Sequence, residues 1–390
     1  MNYTEEYRIS KGWKVFMGIF CLGMLAGGAY LLTEIALGNQ QSATLKIITG
    51  LVLIPLSFYF FMETLSYEVK ITGNEIWVRD FGKPQSLPLN EIKGYKFYKG
   101  IAFIHPKSDK LPILKVSDKI ENHGLFITWL TAHYKDIDKE TAAKEEQEIL
   151  HDEGLGADVA ARKSLLEKTR RVVSWLNTAG LAISIWAMIY PKPYELACGC
   201  CLAIILLALI PYYRNKGLVK LIVNDKSAYP NLSTAVLLPA AVFFMRALID
   251  YSIINFSPLW LPALALCLFF AGILISGHKE FDYRIAGGWA SIIMITAVAY
   301  IFGMGICIFY NCYFDSTAPQ VSHPVVISKR YSSGRHTSYY FTVKPWSAVI
   351  EQKEIEVYQS LYNRVSPGQT VNVYTRKGNL NAAWYDVSDK

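Results

Sequence analysis

Arg246 and Asp250, four residues apart inside an apolar stretch, are the pair best placed to do chemistry in a chain of 390 residues. That spacing puts both on one helical face, where they can pair. Ionised groups within apolar helices are costly and mark either a structural ion pair or a pore or substrate site. For the second role, Asn177 and Glu195 are the polar residues in neighbouring apolar segments. Cys198, Cys200 and Cys201 form a CxCC cluster of soft-metal ligand type, but no second cysteine or histidine group completes it, which favours packing residues. His105, His123, His133, His151, His278, His323 and His336 are scattered, with no HExxH, HxH or Cys/His pair at metal-ligand spacing. His278, Glu280 and Asp282 are the one acid and histidine group close in sequence, and their alternation reads as a solvated loop. Neither GxSxG, GxxxxGK nor GxGxxG occurs. No catalytic residue, metal site or cofactor is assigned, and the chain reads as a non-enzyme.

The elements that must carry these residues follow from composition. Hydrophobic residues make up 52% of the chain and charged residues 18%, with a mean hydropathy of +0.22. A soluble domain is about one quarter charged, so the deficit lies in segments that do not meet water. Disorder, a disulfide-stapled secreted scaffold and an ordinary cytosolic enzyme are poor fits. The net charge of +7 is too modest for a nucleic-acid footprint.

A membrane span needs roughly 20 mostly apolar residues, and seven segments qualify: Trp13 to Leu37, Leu45 to Leu65, Val172 to Tyr190, Leu196 to Tyr213, Leu232 to Tyr251, Pro258 to Ser276 and Gly288 to Tyr313. The last is interrupted by Gly303 and Gly305. Short-loop basic residues set orientation. Arg8, Lys11, Lys14, Arg214, Lys216, Lys220, Lys226, Lys279 and Arg284 fall on one side, and only Lys46 and Lys192 on the other. The expectation is an inner-membrane, multi-pass protein with a cytoplasmic N-terminus and an extracytoplasmic C-terminal domain. Gly23 and Gly27 form a GxxxG on the first span, suited to close helix packing within the chain or between copies in a homo-oligomer. The tail contains no cysteine, so disulfides do not hold it.

Between the second and third spans the pattern changes. YEVKI, TGNE and IWVRD read as a hairpin in which Gly73 and Asn74 supply left-handed turn conformations, and EIKGYKFY, GIAFIH and LPILKV add strands. A helix-like run from Asn122 to Tyr134 puts Leu125, Trp129 and Leu130, with Phe126 beside them, on one apolar face. Through YEVKITGNEIWV, LPLNEIKGY and ENHGLFITWL, about 70 residues, this region resembles the bacterial pleckstrin-homology-like domain of multi-span membrane proteins. The resemblance implies a half-open barrel with a C-terminal helix, acting as a binding or scaffolding module without catalytic residues. Lys93, Lys96 and Lys99 are candidate contacts for anionic lipid, where each basic residue near the surface contributes about 1 kcal/mol. So are Arg170 and Arg171, in a basic collar that leads into the third span.

The tail from Phe314 reads as an extended linker followed by strands VVISKR and SYYFTVK and then further strands broken by SPGQ and RKGN. Its 77 residues suit a small antiparallel barrel, and VSPGQTVNVYTRKGNLNAAWY resembles the closing strands of SH3-like or OB-like barrels attached to membrane proteins. With nine basic and six acidic residues it is no nucleic-acid groove. The expected organisation is an N-terminal segment with two spans (1–65), a pleckstrin-homology-like domain (66–135), a charged helical linker (136–171), five spans (172–313) and an extracytoplasmic barrel (314–390). The function expected is binding: scaffolding or signal relay between cytoplasmic and envelope protein partners, with no nucleic acid. The alternative is a transporter or channel built on polar groups of the bundle.

Overall fold

In hydrocarbon a long uncharged stretch satisfies its backbone by forming a helix, and seven helices among the described residues are long and apolar enough to cross a membrane. The computed structural model describes residues 5–37, 43–80, 82–215, 217–223, 226–276, 281, 286–332, 337–346 and 353–388. It divides into two units, Met1–Lys144 and Glu145–Lys390.

The first unit opens with a strand that the sequence reading did not anticipate. β1 (Glu5–Arg8) precedes the helical hairpin α1 (Lys11–Ala36) and α2 (Ala43–Ser66). It then pairs antiparallel with β2 (Glu68–Ile71), directly after that hairpin. β3 (Glu75–Arg79) and β4 (Gln85–Pro88) complete a sheet in the order β1-β2-β3-β4. β5 (Ile92–Tyr98), β6 (Ile101–Pro106) and β7 (Leu114–Ser117) form a second antiparallel sheet. The β-rich region is therefore not confined to 66–135, because its outer strand lies ahead of the first span. Alternate residues fill a shared core: Tyr7 and Ile9, Val69 and Ile71, Ile76 and Val78 from one sheet, Ala102, Ile104, Leu114 and Val116 from the other.

α3 (His123–His133) closes that core with Phe126 and Leu130, both fully buried and four residues apart. Of the four residues expected on its apolar face, Phe126, Trp129 and Leu130 pack on the core and Leu125, 65% exposed, does not, because the stripe that meets Tyr7 runs through Phe126. The left-handed turn also falls elsewhere. Positive φ occurs at Lys99 (47°) and Gly100 (80°), between β5 and β6, whereas Gly73 and Asn74 join β2 to β3 without it. α4 (Ile137–His151) follows, begun by the Asp136 carboxylate, which accepts from the Asp138 N–H at 3.0 Å.

The second unit holds five apolar helices and a β-rich end. α5 (Val159–Ile189) is capped by Asp158, whose carboxylate accepts from the Ala161 N–H at 2.6 Å. It runs unbroken from the charged collar into the span. α6 (Tyr194–Arg214), α7 (Ser233–Asp250), α8 (Ser257–Ile275) and α9 (Ala286–Tyr313) follow, and α9 passes straight through Gly303 and Gly305. Between α7 and α8 lies β8 (Ser252–Ile253). The tail contributes β9 (Gln320–Ser322), β10 (Val326–Ser332), β11 (Ser338–Val343), β12 (Lys353–Val357), a short helix α10 (Gln359–Arg364), β13 (Asn372–Arg376) and β14 (Trp384–Ser388). They make two sheets, β10-β11-β12 and β8-β14-β13-β9, around Phe341, Val343, Ile355 and Val373.

Helix packing in the α1–α2 hairpin rests on different glycines from those expected. A methyl group built on Gly23 or Gly27 meets nothing within 4 Å. One built on Gly50 would lie 2.9 Å from the Leu32 side chain and 3.0 Å from the Gly28 carbonyl oxygen. The close approach is thus Gly28 against Gly50. Overpacking such a contact costs roughly 1–3 kcal/mol, so Gly50→Leu should lower the thermal midpoint of the detergent-solubilised protein, and Gly23→Leu should leave it unchanged.

Candidate functional site

The densest buried polar geometry lies where α9 meets the tail. Asn311, on the last turn of α9, is fully buried. Its amide donates to the Ala382 carbonyl at 2.8 Å, and its side-chain oxygen accepts from the Leu380 N–H at 2.9 Å. Its backbone carbonyl accepts from the Asn379 N–H at 3.1 Å. One turn on, Asp315 is 8% exposed and accepts from the Gly378 N–H, the Trp384 indole N–H and the Thr317 N–H, each at 2.9 Å. Gly378 has φ of 76°, and a Cβ there would come within 2.4 Å of the Asn311 amide, so only glycine fits. The stretch from Phe314 to the VVISKR strand, expected as an extended linker, is therefore held at its start, and it contains β9. Neither Asn311 nor Asp315 was singled out from sequence.

The adjacent loop reinforces this clamp. β8 pairs with β14, aligning Ile253 with Trp384, and the Ile254 N–H donates to the Ala383 carbonyl at 2.8 Å. Tyr251 meets the Trp384 ring edge-on at 5.9 Å.

Immediately before β8, Arg246 and Asp250 form a two-pronged ion pair. Arg246 Nε donates to Asp250 Oδ2 at 3.1 Å, and Nη2 donates to Oδ1. The two side chains are 15% and 21% exposed. The Tyr194 hydroxyl is buried nearby without a hydrogen bond of good geometry, with Asp250 and Tyr251 as electrostatic neighbours. Asn177 does not join this pair. Its carboxamide caps the other end of α7, accepting from the Ala235 N–H at 2.9 Å, and eleven residues of helix, about 16 Å, separate Ala235 from Arg246. Glu195 accepts from the Tyr313 hydroxyl at 3.2 Å. Cys198 and Cys201 are buried and Cys200 half-buried.

In the first unit, Lys93 and Lys96 line a cleft of about 310 Å³ with His105, Asp109 and Ile137, and Lys96 lies 3.8 Å from the buried Asp138. Burial, then Lys96 and Lys93, push the His105 imidazole below its ordinary value, with Asp138 opposing. Lys99 is not part of this cleft. It occupies the β5–β6 turn with Nζ 5.2 Å from the centre of the Tyr98 ring. Arg170 donates to the Ala228 carbonyl at 3.0 Å, whereas Arg171 is exposed. His278, Glu280, Asp282 and His336 lie outside the described residues. Among the described residues no group of three His, Cys, Asp or Glu side chains is placed to hold a metal ion.

No protein-family model, curated protein or solved structure matches this chain.

Two outcomes test the clamp. Asn311→Ala strands the Leu380 N–H and the Ala382 carbonyl, a cost of about 1–3 kcal/mol for each buried group. The tail of that variant should be digested by protease at temperatures where the parent resists. At Asp315 burial acts to raise the carboxyl pKa, but hydrogen bonds from Thr317, Trp384 and Gly378 together hold it below the ordinary value. Its contribution to tail stability is therefore full above an unfolded aspartate's pKa of about 3.9 and is lost as pH falls through the lower folded value. Pepsin digestion at stepped acid pH should show tail release increasing through that window in the parent. Asp315→Asn should be more susceptible at all the higher pH values and should approach the parent at the acid end.

Proposed function

We propose that this protein is a non-enzymatic scaffold or signal-relay component of a bacterial inner membrane, binding one protein partner through its first β-rich unit and another through its tail. The observation that carries the reading is the Asn311–Asp315 clamp. A domain that only needed tethering would tolerate a solvated linker, but this one spends a fully buried asparagine and a nearly buried aspartate on fixing a loop to a span. Displacement of the tail by a partner would be transmitted to α9 and, through β8, to α7. The basic short loops favour a cytoplasmic N-terminus and an extracytoplasmic tail.

The likeness of the first unit to a pleckstrin-homology-like half-barrel is supported by its antiparallel four-stranded and three-stranded sheets with α3 across their shared core. The likeness of the tail to a small barrel is supported by its two sheets around one core. Partner-facing surface on the tail is best represented by Tyr331 and Tyr358, which are 62% and 77% exposed. The transporter reading is weaker, because Arg246 and Asp250 satisfy each other at one end of α7 and do not converge with Asn177.

Photo-crosslinkers placed separately at Tyr358 and at Lys93 in native membranes should each capture a discrete protein. Capture of nothing by either would sink the scaffold reading. Solute flux in reconstituted vesicles that disappeared in Arg246→Ala would establish the transporter in its place.

A further inference from the structure

No charged residue occurs between Arg171 and Lys192 on α5, or between Lys226 and Arg246 on the segment that becomes α7. One cavity of about 350 Å³ is walled by the residues that open both of these uncharged stretches. From α5 it takes Arg170, Ser174 and Thr178, spaced four residues apart and so on one stripe of the helix. From the opposite side it takes Tyr229, Ser233 and Thr234. Continuing down α5, the next residues on the stripe are Leu181 and Ile185, both exposed. A guanidinium, a belt of hydroxyls and then bare apolar surface follow one another in the order that a phospholipid presents phosphate, glycerol backbone and acyl chain.

We propose that this cavity seats the phosphodiester of an anionic membrane lipid, with Arg170 as its charged anchor. The guanidinium presents five N–H donors in a planar fork suited to phosphate. Its Nη2 donates to the Ala228 carbonyl at 3.0 Å and is ion-paired with Glu146 at 3.7 Å, so a phosphate would compete with Glu146 for the charge and use the N–H groups of Nε and Nη1. Glu145 is already engaged, accepting from the Ser227 hydroxyl at 2.6 Å and the Ala228 N–H at 2.8 Å. These contacts hold the 227–231 loop in place as one wall. Two first-turn amides of α7 are already engaged, the Ser233 N–H by Asn231 at 2.7 Å and the Ala235 N–H by Asn177 at 2.9 Å. The Thr178 hydroxyl donates to the Ser174 carbonyl at 2.9 Å, so recognition rests on Arg170 and the hydroxyls of Ser174, Ser233 and Thr234. A free phosphate ion would use the same groups but gains nothing from Leu181 and Ile185, which is why the lipid is the occupant inferred. The inference rests on the helices spanning a membrane and is independent of the relay reading.

The test uses the full-length protein, delipidated in detergent and titrated with dioleoyl phosphatidylglycerol, dioleoyl phosphatidylcholine or inorganic phosphate, with bound lipid counted by native mass spectrometry. Phosphatidylglycerol should bind the parent more tightly than phosphatidylcholine, and Arg170→Gln should weaken it about tenfold or more, the size expected for a charge-assisted contact. Arg171→Gln removes the same charge one residue away and should bind as the parent does. Ser233→Ala with Thr234→Val keeps Arg170 and should weaken phosphatidylglycerol with the thermal midpoint unchanged, which separates lost binding from lost folding. Equal losses in the Arg170 and Arg171 variants, or equal retention of the two lipids, would overturn the proposal. So would stabilisation of the parent by inorganic phosphate alone that Arg170→Gln abolishes, since that outcome would assign the site to a soluble phosphate.

Discussion

A buried backbone amide or carbonyl must be paired, and that constraint is sharpest where a β-rich tail sits against an apolar helix. Helix ends leave carbonyls free, and the 378–384 loop brings backbone groups of its own. Asn311 resolves both with one side chain, because a carboxamide donates and accepts at once. It fills the Leu380 N–H and the Ala382 carbonyl while its own backbone carbonyl takes the Asn379 N–H. Asp315 continues the arrangement through three N–H donors. Leucine at 311 would suit the span, but it would leave the loop unpaired. The tail's position on the helices is therefore decided by polar matching, with the apolar contacts of Ala382 and Leu380 against Ile308 and Cys312 filling in around it.

The first unit meets the same constraint at a sheet edge. β7 is the last strand of its sheet, so alternate backbone groups face away from β6. The Tyr67 hydroxyl occupies that edge, donating to the Lys115 carbonyl at 3.0 Å and accepting from the Ser117 N–H at 2.9 Å. One phenol thus stands in for part of a missing strand, and burial pushes its pKa up to about 12, so it keeps its proton at neutral pH. Tyr67 also immediately follows α2, while β1 immediately precedes α1. Since β1 and β2 are neighbours, the helical hairpin leaves and re-enters the sheet at adjacent strands. Strands in a sheet are about 4.8 Å apart and packed helices 8–10 Å.

The spans were legible because hydropathy over twenty residues is a property of the segment itself. The hairpins of the first unit were legible for the same reason, since turn residues and alternation are local. What escaped was set by partners distant in sequence. β1 is four residues of alternating EEYR beside a span, and becomes a strand only because β2 waits beyond the hairpin. β8 has two residues, too few for any periodic signal. Asn311 looked like an ordinary polar residue near a helix end. A GxxxG motif does not say which helix it meets: within the hairpin the facing helix presents its glycine opposite Gly28, and Gly23 and Gly27 touch no other part of the described chain. Leu125 and Phe126 both suit an apolar face, and the position of Tyr7 decides which of them is used.

The Arg246–Asp250 pair takes its meaning from the same geometry. Removing two charges from water costs about as much as their attraction returns, so such a pair contributes little net stability. Its two-pronged contact does restrict orientation, since a guanidinium fork donates to both carboxylate oxygens in one plane. Asp250 is the last residue of α7, and β8 begins two residues later. A turn of helix held in register at that point places Tyr251 against Trp384 and Ser252–Ile253 alongside β14. The indole of Trp384 is in turn hydrogen-bonded to Asp315 beyond the end of α9. Two helices thus reach one tryptophan from two sides, one through an aromatic contact and one through a carboxylate.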